Sequence, residues 1–148
     1  MSDTGNSSLP EPKIEQEKLE EYRGLYKELL GFVPPRIQAR TDLLSRLDPE
    51  FLSLQEQVRE HAMYPDVFDV KTTQLMLFGM LLITLRDAAR LHGIAARRAG
   101  ATWEEMQAVV NLAYLFGGLS VANRGAQFIQ EIAEMEAEQQ AGATGDQA

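Results

Sequence analysis

The stretch KTTQLMLFGMLLITLRDAARLHGIAARR, residues 71–98, decides the fold. Its apolar residues recur at three- and four-residue steps, which is the spacing of a helix and not of a half-buried strand. Gly79 and the Arg86–Asp87 pair are its possible breaks, and Gly100 is placed to cap its end. Met76 and Met80, with Leu77, Phe78, Leu81, Leu82 and Ile83, leave apolar side chains almost all round the first half. Such a helix belongs in a core, and a chain of 148 residues would struggle to cover it alone, so a helical oligomer is expected. The stripe reads as core, not as a cofactor box. The most apolar run, Leu75 to Leu85, is about half of the roughly 20 residues that span a bilayer, and Arg86 and Asp87 close it.

Working outward, Leu19, Tyr22, Tyr26, Leu29 and Leu30 mark a first helix over about residues 14–30, ended by Gly31. Pro34 and Pro35 open a second, because proline suits a first turn that needs no amide partner; it carries Ile37, Leu43, Leu44 and Leu47. Asp48-Pro49-Glu50 repeats that signal for a third helix, with Phe51, Leu52, Leu54 and Val58, which ends before Pro65. On the other side, Thr102 and Glu105 form a capping box opening a helix through Met106, Val109, Val110, Ala113 and Leu115. Gly117-Gly118 stops it before a last helix through Val121, Phe128, Ile129, Ile132 and Met135. No stretch alternates as a strand between hairpin turns. The expectation is an all-α, single-domain helical bundle of about six helices over residues 13–138, flanked by disordered tails at 1–12 and 139–148.

A net charge of -8 and a pI near 4.8 offer no attractive field to phosphate backbones or anionic lipid, so neither nucleic acid nor membrane is an expected partner. The chain has no cysteine, which excludes disulfides, thiolate nucleophiles and cysteine-ligated metal. Its start, MSDTGNSSLPEPK, lacks the basic and apolar regions of a secretory signal, and a cytoplasmic location is expected by default.

Several motifs then point one way. AspValLysThrThrGlnLeu at 69–75, ArgLeuHis at 90–92, AlaGlyAlaThrTrpGluGluMet at 99–106 and LeuAlaTyrLeuPheGlyGlyLeu at 112–119 resemble, in order, the characteristic half of the carboxymuconolactone decarboxylase / alkylhydroperoxidase-D-like family. GlyPheValProProArgIle at 31–37 and LeuAspProGluPhe at 47–51 also resemble it. In that family's redox branch a Cys-x-x-Cys pair precedes the histidine and a glutamate starts a proton relay. Counted back from His92, the sulfur positions here are Leu85 and Ala88, and the glutamate position falls at Gln74 or Thr73. The resemblance therefore implies the helical fold and a trimer or hexamer with sites near subunit contacts, but no thiol peroxidase. Ser120 stands where the family often has proline, and Gly93 where the decarboxylase branch commonly has valine.

On a continuous helix His92 shares a face with Leu85, Ala88, Ala89 and Ala96, an apolar groove that favours a neutral imidazole suited to proton transfer next to a carbonyl. The bland alternative is a satisfied core or interface histidine. Arg86 and Arg90, one turn apart, form a basic ridge able to clamp a carboxylate, with Arg86 placed in the catalytic pair with His92 and Arg90 as anchor. A solvated helix face is the plainer reading, and the better one for Arg97 and Arg98. Arg124, beside Asn123 after the double glycine, could reach a neighbouring groove. His61 and Tyr64, before Pro65, could each serve as a further substrate contact, although such positions are usually plain surface. Gly117-Gly118 is a helix stop before it is a phosphate cradle. His61 and His92, without metal-ligand spacing, make a poor metal set, so neither metal nor other cofactor is expected.

Two functions follow. One is a cofactor-independent lyase or isomerase, decarboxylase-like, acting on a small organic acid with His92 as proton donor or acceptor. The other is a non-catalytic oligomeric ligand-binding or structural member that kept the fold and lost the relay.

Overall fold

The computed structural model describes residues 8–146, which form six helices and no strand: α1 (Gln16–Leu30), α2 (Pro35–Leu47), α3 (Pro49–Met63), α4 (Val70–Ile83), α5 (Ala89–Arg98) and α6 (Trp103–Gly145). This is the all-α architecture expected. Of the expected tails, residues 1–7 and 147–148 lie outside the described residues. Residues near the start are held rather than loose: the Lys13 amide donates to the Ser45 carbonyl at 2.8 Å, and the Arg46 guanidinium donates to the Pro10 carbonyl at 2.9 Å. At the other end α6 runs on, fully exposed, to Gly145. The described chain divides into two compact units that part between Met63 and Tyr64.

The first unit holds α1, α2 and α3. Leu19, Tyr26, Leu29, Leu30 and Leu52 are buried, yet so are Arg23, Thr41, Ser45 and Glu56. The helices are joined by hydrogen bonds as much as by apolar contact. Arg23 Nε donates to Thr41 Oγ1 at 3.0 Å, Tyr26 Oη donates to Glu56 Oε1 at 2.9 Å, and Arg40 Nη2 reaches the same carboxylate at 2.6 Å. Burial pushes the Tyr26 phenol up to about 12, with the Glu56 charge adding to the effect. The i, i+4 pairs Thr41/Ser45 and Leu52/Glu56 therefore face inward. Leu47, Phe51, Leu54 and Val58, the apolar markers of these helices, are each at least half exposed.

The second unit is built around Phe78, Leu82, Ile94, Met106, Val110, Val121, Phe128 and Ile132, all nearly or fully buried. Each such side chain contributes about 1.5–3 kcal/mol by leaving water. Helix α4 begins at Asp69, whose carboxylate accepts the Thr72 amide at 2.6 Å. Helix α6 begins at the expected capping box, with Thr102 Oγ1 accepting the Glu105 amide at 3.1 Å and Glu105 Oε2 accepting the Thr102 amide at 2.9 Å. Lys71 Nζ bonds the other Glu105 oxygen at 2.9 Å and so ties the two helix starts together.

Helix α6 is two arms rather than one rod. At Gly118 φ is 73° and ψ is -161°, a conformation closed to residues with a Cβ, and there the chain turns. The second arm lies back on the first so closely that a Cβ at Gly125 would stand 2.6 and 2.7 Å from the two γ carbons of Val110. The double-glycine stop is thus real. No helix of the described residues is long and apolar enough to cross a membrane.

Candidate functional site

The turn between α4 and α5 organises the site. The Leu85 amide donates to Leu82 O at 3.0 Å and the Arg86 amide to Leu81 O at 2.9 Å, the paired bonds of a Schellman helix end. The first of the two donors must be left-handed in such an end, and Leu85 has φ 54°. The same pair of bonds closes α5, from Gly100 to Arg97 O and from Ala101 to Ala96 O, with Gly100 in the left-handed position. A leucine in that role carries strain that glycine would not, of roughly 1–2 kcal/mol.

This turn falls at the Arg86–Asp87 pair, one of the two possible breaks within residues 71–98, so the helix is not continuous through the His92 stripe. Gly79, a suspected break, stays helical, while α4 stops at Ile83 and α5 starts at Ala89. Leu85, in the left-handed turn, leaves the His92 stripe and is exposed, as is Ala88 at the start of α5, whereas Ala89 and Ala96 are fully buried.

His92 sits half-buried on α5, and its Nδ1 lies 2.7 Å from Oε1 of Gln74, a fully buried residue of α4. Of the two positions where a relay glutamate was sought, Gln74 is the one that bonds the histidine. Gln74 carries no mark of a role of its own in the sequence: it closes the polar start Lys71-Thr72-Thr73 before the apolar run begins at Leu75, and only the fold shows that it is buried. One residue past the histidine, a Cβ at Gly93 would meet Ile132 Cδ1 at 2.7 Å and Met106 Cε at 3.2 Å, so valine does not fit this packing unchanged.

The cations expected near His92 are mostly paired. Arg90 Nε meets Glu131 Oε2 at 3.0 Å. Arg97 makes a two-pronged bond to Glu136, at 2.9 and 2.8 Å, and stacks on Trp103 with its guanidinium 3.6 Å from the ring centre. Arg124 Nη2 meets Asp87 Oδ1 at 2.6 Å, and Arg86 is exposed in the turn before α5. His61 is exposed in the last turn of α3, in the first unit, and Tyr64 is exposed at the start of the second. Among the described residues no three of His, Asp and Glu gather as a metal-holding group.

Two grooves flank these residues. A polar one of about 360 Å³ is lined by Leu85, Ser120, Asn123, Arg124 and Gln127, so the strained turn and the start of the second α6 arm form its walls. A larger one of about 570 Å³ runs between α4 and the first α6 arm, lined by Met76, Met80, Leu112 and Phe116 among others. Its polar end holds Asp69, Lys71 and Glu105. Hydrogen bonds to Thr72 hold the Asp69 carboxyl below its usual range, and the Thr102 amide and Lys71 do so for Glu105. The bond to Glu105 in turn raises Lys71. Leu112, Leu115, Phe116 and Leu119, at helical spacing along this arm and just past its break, are 64–86% exposed.

The family model described as Carboxymuconolactone decarboxylase family matches residues 49–131. A search of the curated proteins and one of the solved structures each found no match.

Proposed function

The chain belongs to the carboxymuconolactone decarboxylase family, and on that premise we propose that it is a cofactor-independent lyase or isomerase moving a proton on a small carboxylate-bearing organic molecule. The observation that carries this reading is His92, half-buried and held through Nδ1 by buried Gln74. An oriented imidazole can take or give a proton beside a carbonyl, and such general acid–base assistance contributes about 10²–10⁴-fold in rate. The chemistry needs no thiol, which suits a chain without cysteine.

For the substrate carboxylate we propose Arg124, with Asn123 beside it in the polar groove, as anchor. Its partner Asp87 is 66% exposed, so exchanging that carboxylate for a ligand's costs little, an exposed ion pair being worth about 0–1 kcal/mol. Arg86, exposed nearby, is the second cation; Arg90 would first have to leave Glu131. We also propose that a second copy of the chain covers the stripe of Leu112, Leu115, Phe116 and Leu119, giving a homo-trimer or homo-hexamer.

A second reading, a non-catalytic ligand-binding member, is favoured by one observation: Arg90, Arg97 and Arg124 are each already paired with a carboxylate of the chain itself. One experiment separates the two. Lactone, keto and dicarboxylic acids are incubated with wild type, His92→Gln and Arg124→Gln in deuterated buffer, and both carbon-bound deuterium and loss of carbon dioxide are followed by NMR. The enzyme reading expects label or product with wild type, a loss of about 10²-fold or more in His92→Gln, and a raised KM in Arg124→Gln. Acids that bind without turnover, or turnover that survives His92→Gln, would overturn it.

A further inference from the structure

We propose that Gln74 is a positioning residue that fixes His92 in the Nδ1-protonated tautomer, so that the neutral imidazole carries its basic lone pair on Nε2. The catalytic consequence rests on the proposed role of His92, whereas the tautomer itself does not.

The argument is one of donor and acceptor. The amide oxygen of glutamine has lone pairs and no proton to give, so an imidazole nitrogen 2.7 Å from it must supply the hydrogen. Two lone pairs at that distance would repel. Gln74 cannot turn away, since it is fully buried on α4 between Thr73 and the core residue Phe78. His92 cannot slide past it either, because the Leu85 turn fixes how α5 leaves α4, and buried Ile94, Ala95 and Ala96 hold α5 down. The ring is therefore gripped at one nitrogen by a neutral acceptor. Free histidine in water favours the other tautomer, so this grip changes which nitrogen is basic.

A neutral partner differs from a carboxylate at the same place. A buried carboxylate would both accept the proton and favour the imidazolium through its charge, whereas an amide orients the ring without adding charge. His92 thus enters the reaction as a base. In the step this permits, a C–H bond next to a substrate carbonyl breaks, its proton goes to Nε2, and its electron pair moves onto the carbonyl oxygen as an enolate. Where a carbon–carbon double bond adjoins that carbon the enolate is a dienolate, and return of the proton from Nε2 to its far carbon shifts the double bond, restores the carbonyl and completes an isomerisation with no further reactant. The chemistry thereby narrows from lyase or isomerase to one that starts by abstraction from carbon.

The test is long-range proton–nitrogen NMR of protein labelled at histidine nitrogen, in mildly alkaline solution, above the range in which imidazoles ordinarily carry charge. His92→Gln assigns the signals, and exposed His61 serves as the internal reference. In wild type, His92 Nδ1 is expected at the shift of a protonated ring nitrogen and Nε2 at that of a bare one. Gln74→Leu should move His92 toward the Nε2-protonated form, while Gln74→Glu should keep Nδ1 protonated and move the His92 titration to higher pH. A wild-type His92 protonated at Nε2, or a pattern unchanged in Gln74→Leu, overturns the proposal. Should Gln74→Leu fail to fold, the wild-type and Gln74→Glu spectra decide alone. Absence of turnover would sink the enzyme reading and leave these spectra as they are; the wrong tautomer would sink this proposal and leave turnover to be measured.

Discussion

Replacing Gly125 by alanine tests how the two arms of α6 meet, and with them the wall of the polar groove. The new Cβ would stand 2.6 Å from Val110 Cγ2, 2.7 Å from Cγ1 and 3.3 Å from Cβ. Comfortable carbon–carbon contact needs about 3.5–4.0 Å, so two contacts are short by roughly 1 Å. Val110 is 2% exposed and β-branched, held to a single preferred rotamer on a helix, so it cannot fold its methyls aside. The arms must separate instead. Overpacking of this kind costs about 1–3 kcal/mol, and alanine's better helix propensity returns up to about 1 kcal/mol, leaving a net loss of about 1–2 kcal/mol. For a chain of this size that is a fall in Tm of roughly 2–8 °C.

The assay is thermal unfolding of Gly125→Ala, Val110→Ala and the double variant, with Gly24→Ala as control. Gly24 lies in α1 with nothing within 4 Å of its absent Cβ, so alanine there should stabilise by about 0.5–1 kcal/mol. In the double variant the smaller residue makes room for the new methyl, and the cycle should show a coupling of about 0.5–3 kcal/mol. A Gly125→Ala protein as stable as wild type, or two changes that simply add, would refute the packing of one arm on the other.

Three further outcomes are expected. Ultraviolet titration should find Tyr26 ionising near 12, above an unfolded value of about 10. The raised value means that its stabilisation is complete below the unfolded pKa and is lost as pH climbs through the folded one; Tyr26→Phe should remove this alkaline sensitivity at a cost of about 1 kcal/mol near neutrality. Glu105, held below its usual range, stabilises the fold above its unfolded pKa and ceases to do so as pH falls through the folded one, so Glu105→Gln should flatten the acid limb of the stability profile measured by urea unfolding. Leu85→Gly should relieve the left-handed leucine and raise stability by about 1 kcal/mol, and a lower Tm would show that its side chain matters more than its backbone.

Helix starts and most stops were legible because their chemistry is local. Proline at a first turn, the Thr102–Glu105 box and Gly31, Gly100 and Gly118 act through bonds a few residues long, and each marks a boundary found in the structure. The end of α4 is only half legible: the Arg86–Asp87 pair marks a break there, but the left-handed position that makes the stop holds leucine, which carries no compositional mark. In α2 and α3 most apolar residues mislead: Leu52 is buried, but the other inward positions go to Thr41, Ser45 and Glu56, the two hydroxyls bonding carbonyls of their own helix while Arg23 reaches Thr41 and Tyr26 and Arg40 reach Glu56 from elsewhere in the chain. His92 was found through its resemblance, and Gln74 could be paired with it only once the turn brought α4 and α5 together.

The acidic partners separate the arginines around His92 by how readily each could take up a substrate carboxylate. Arg90, Arg97 and Arg124 each meet a carboxylate, and what separates them is how firmly. Arg97 is gripped by both oxygens of Glu136 and by the Trp103 face, with both charged side chains about three-quarters buried or more. Removing one partner of a pair so enclosed strands a charge in a poor solvent, a far larger penalty than opening an exposed one. Arg90 and Glu131 are intermediate, with 34% and 37% of their side chains exposed. Arg124 faces a single oxygen of Asp87, the most exposed of the three acids, and it lines a groove with Asn123, Ser120 and Gln127 as further polar partners. Under the proposed reading a substrate carboxylate therefore replaces Asp87 before it replaces either glutamate. That exchange would also free Asp87, two residues before α5, to draw on the turn that carries Leu85 and aims the helix of His92.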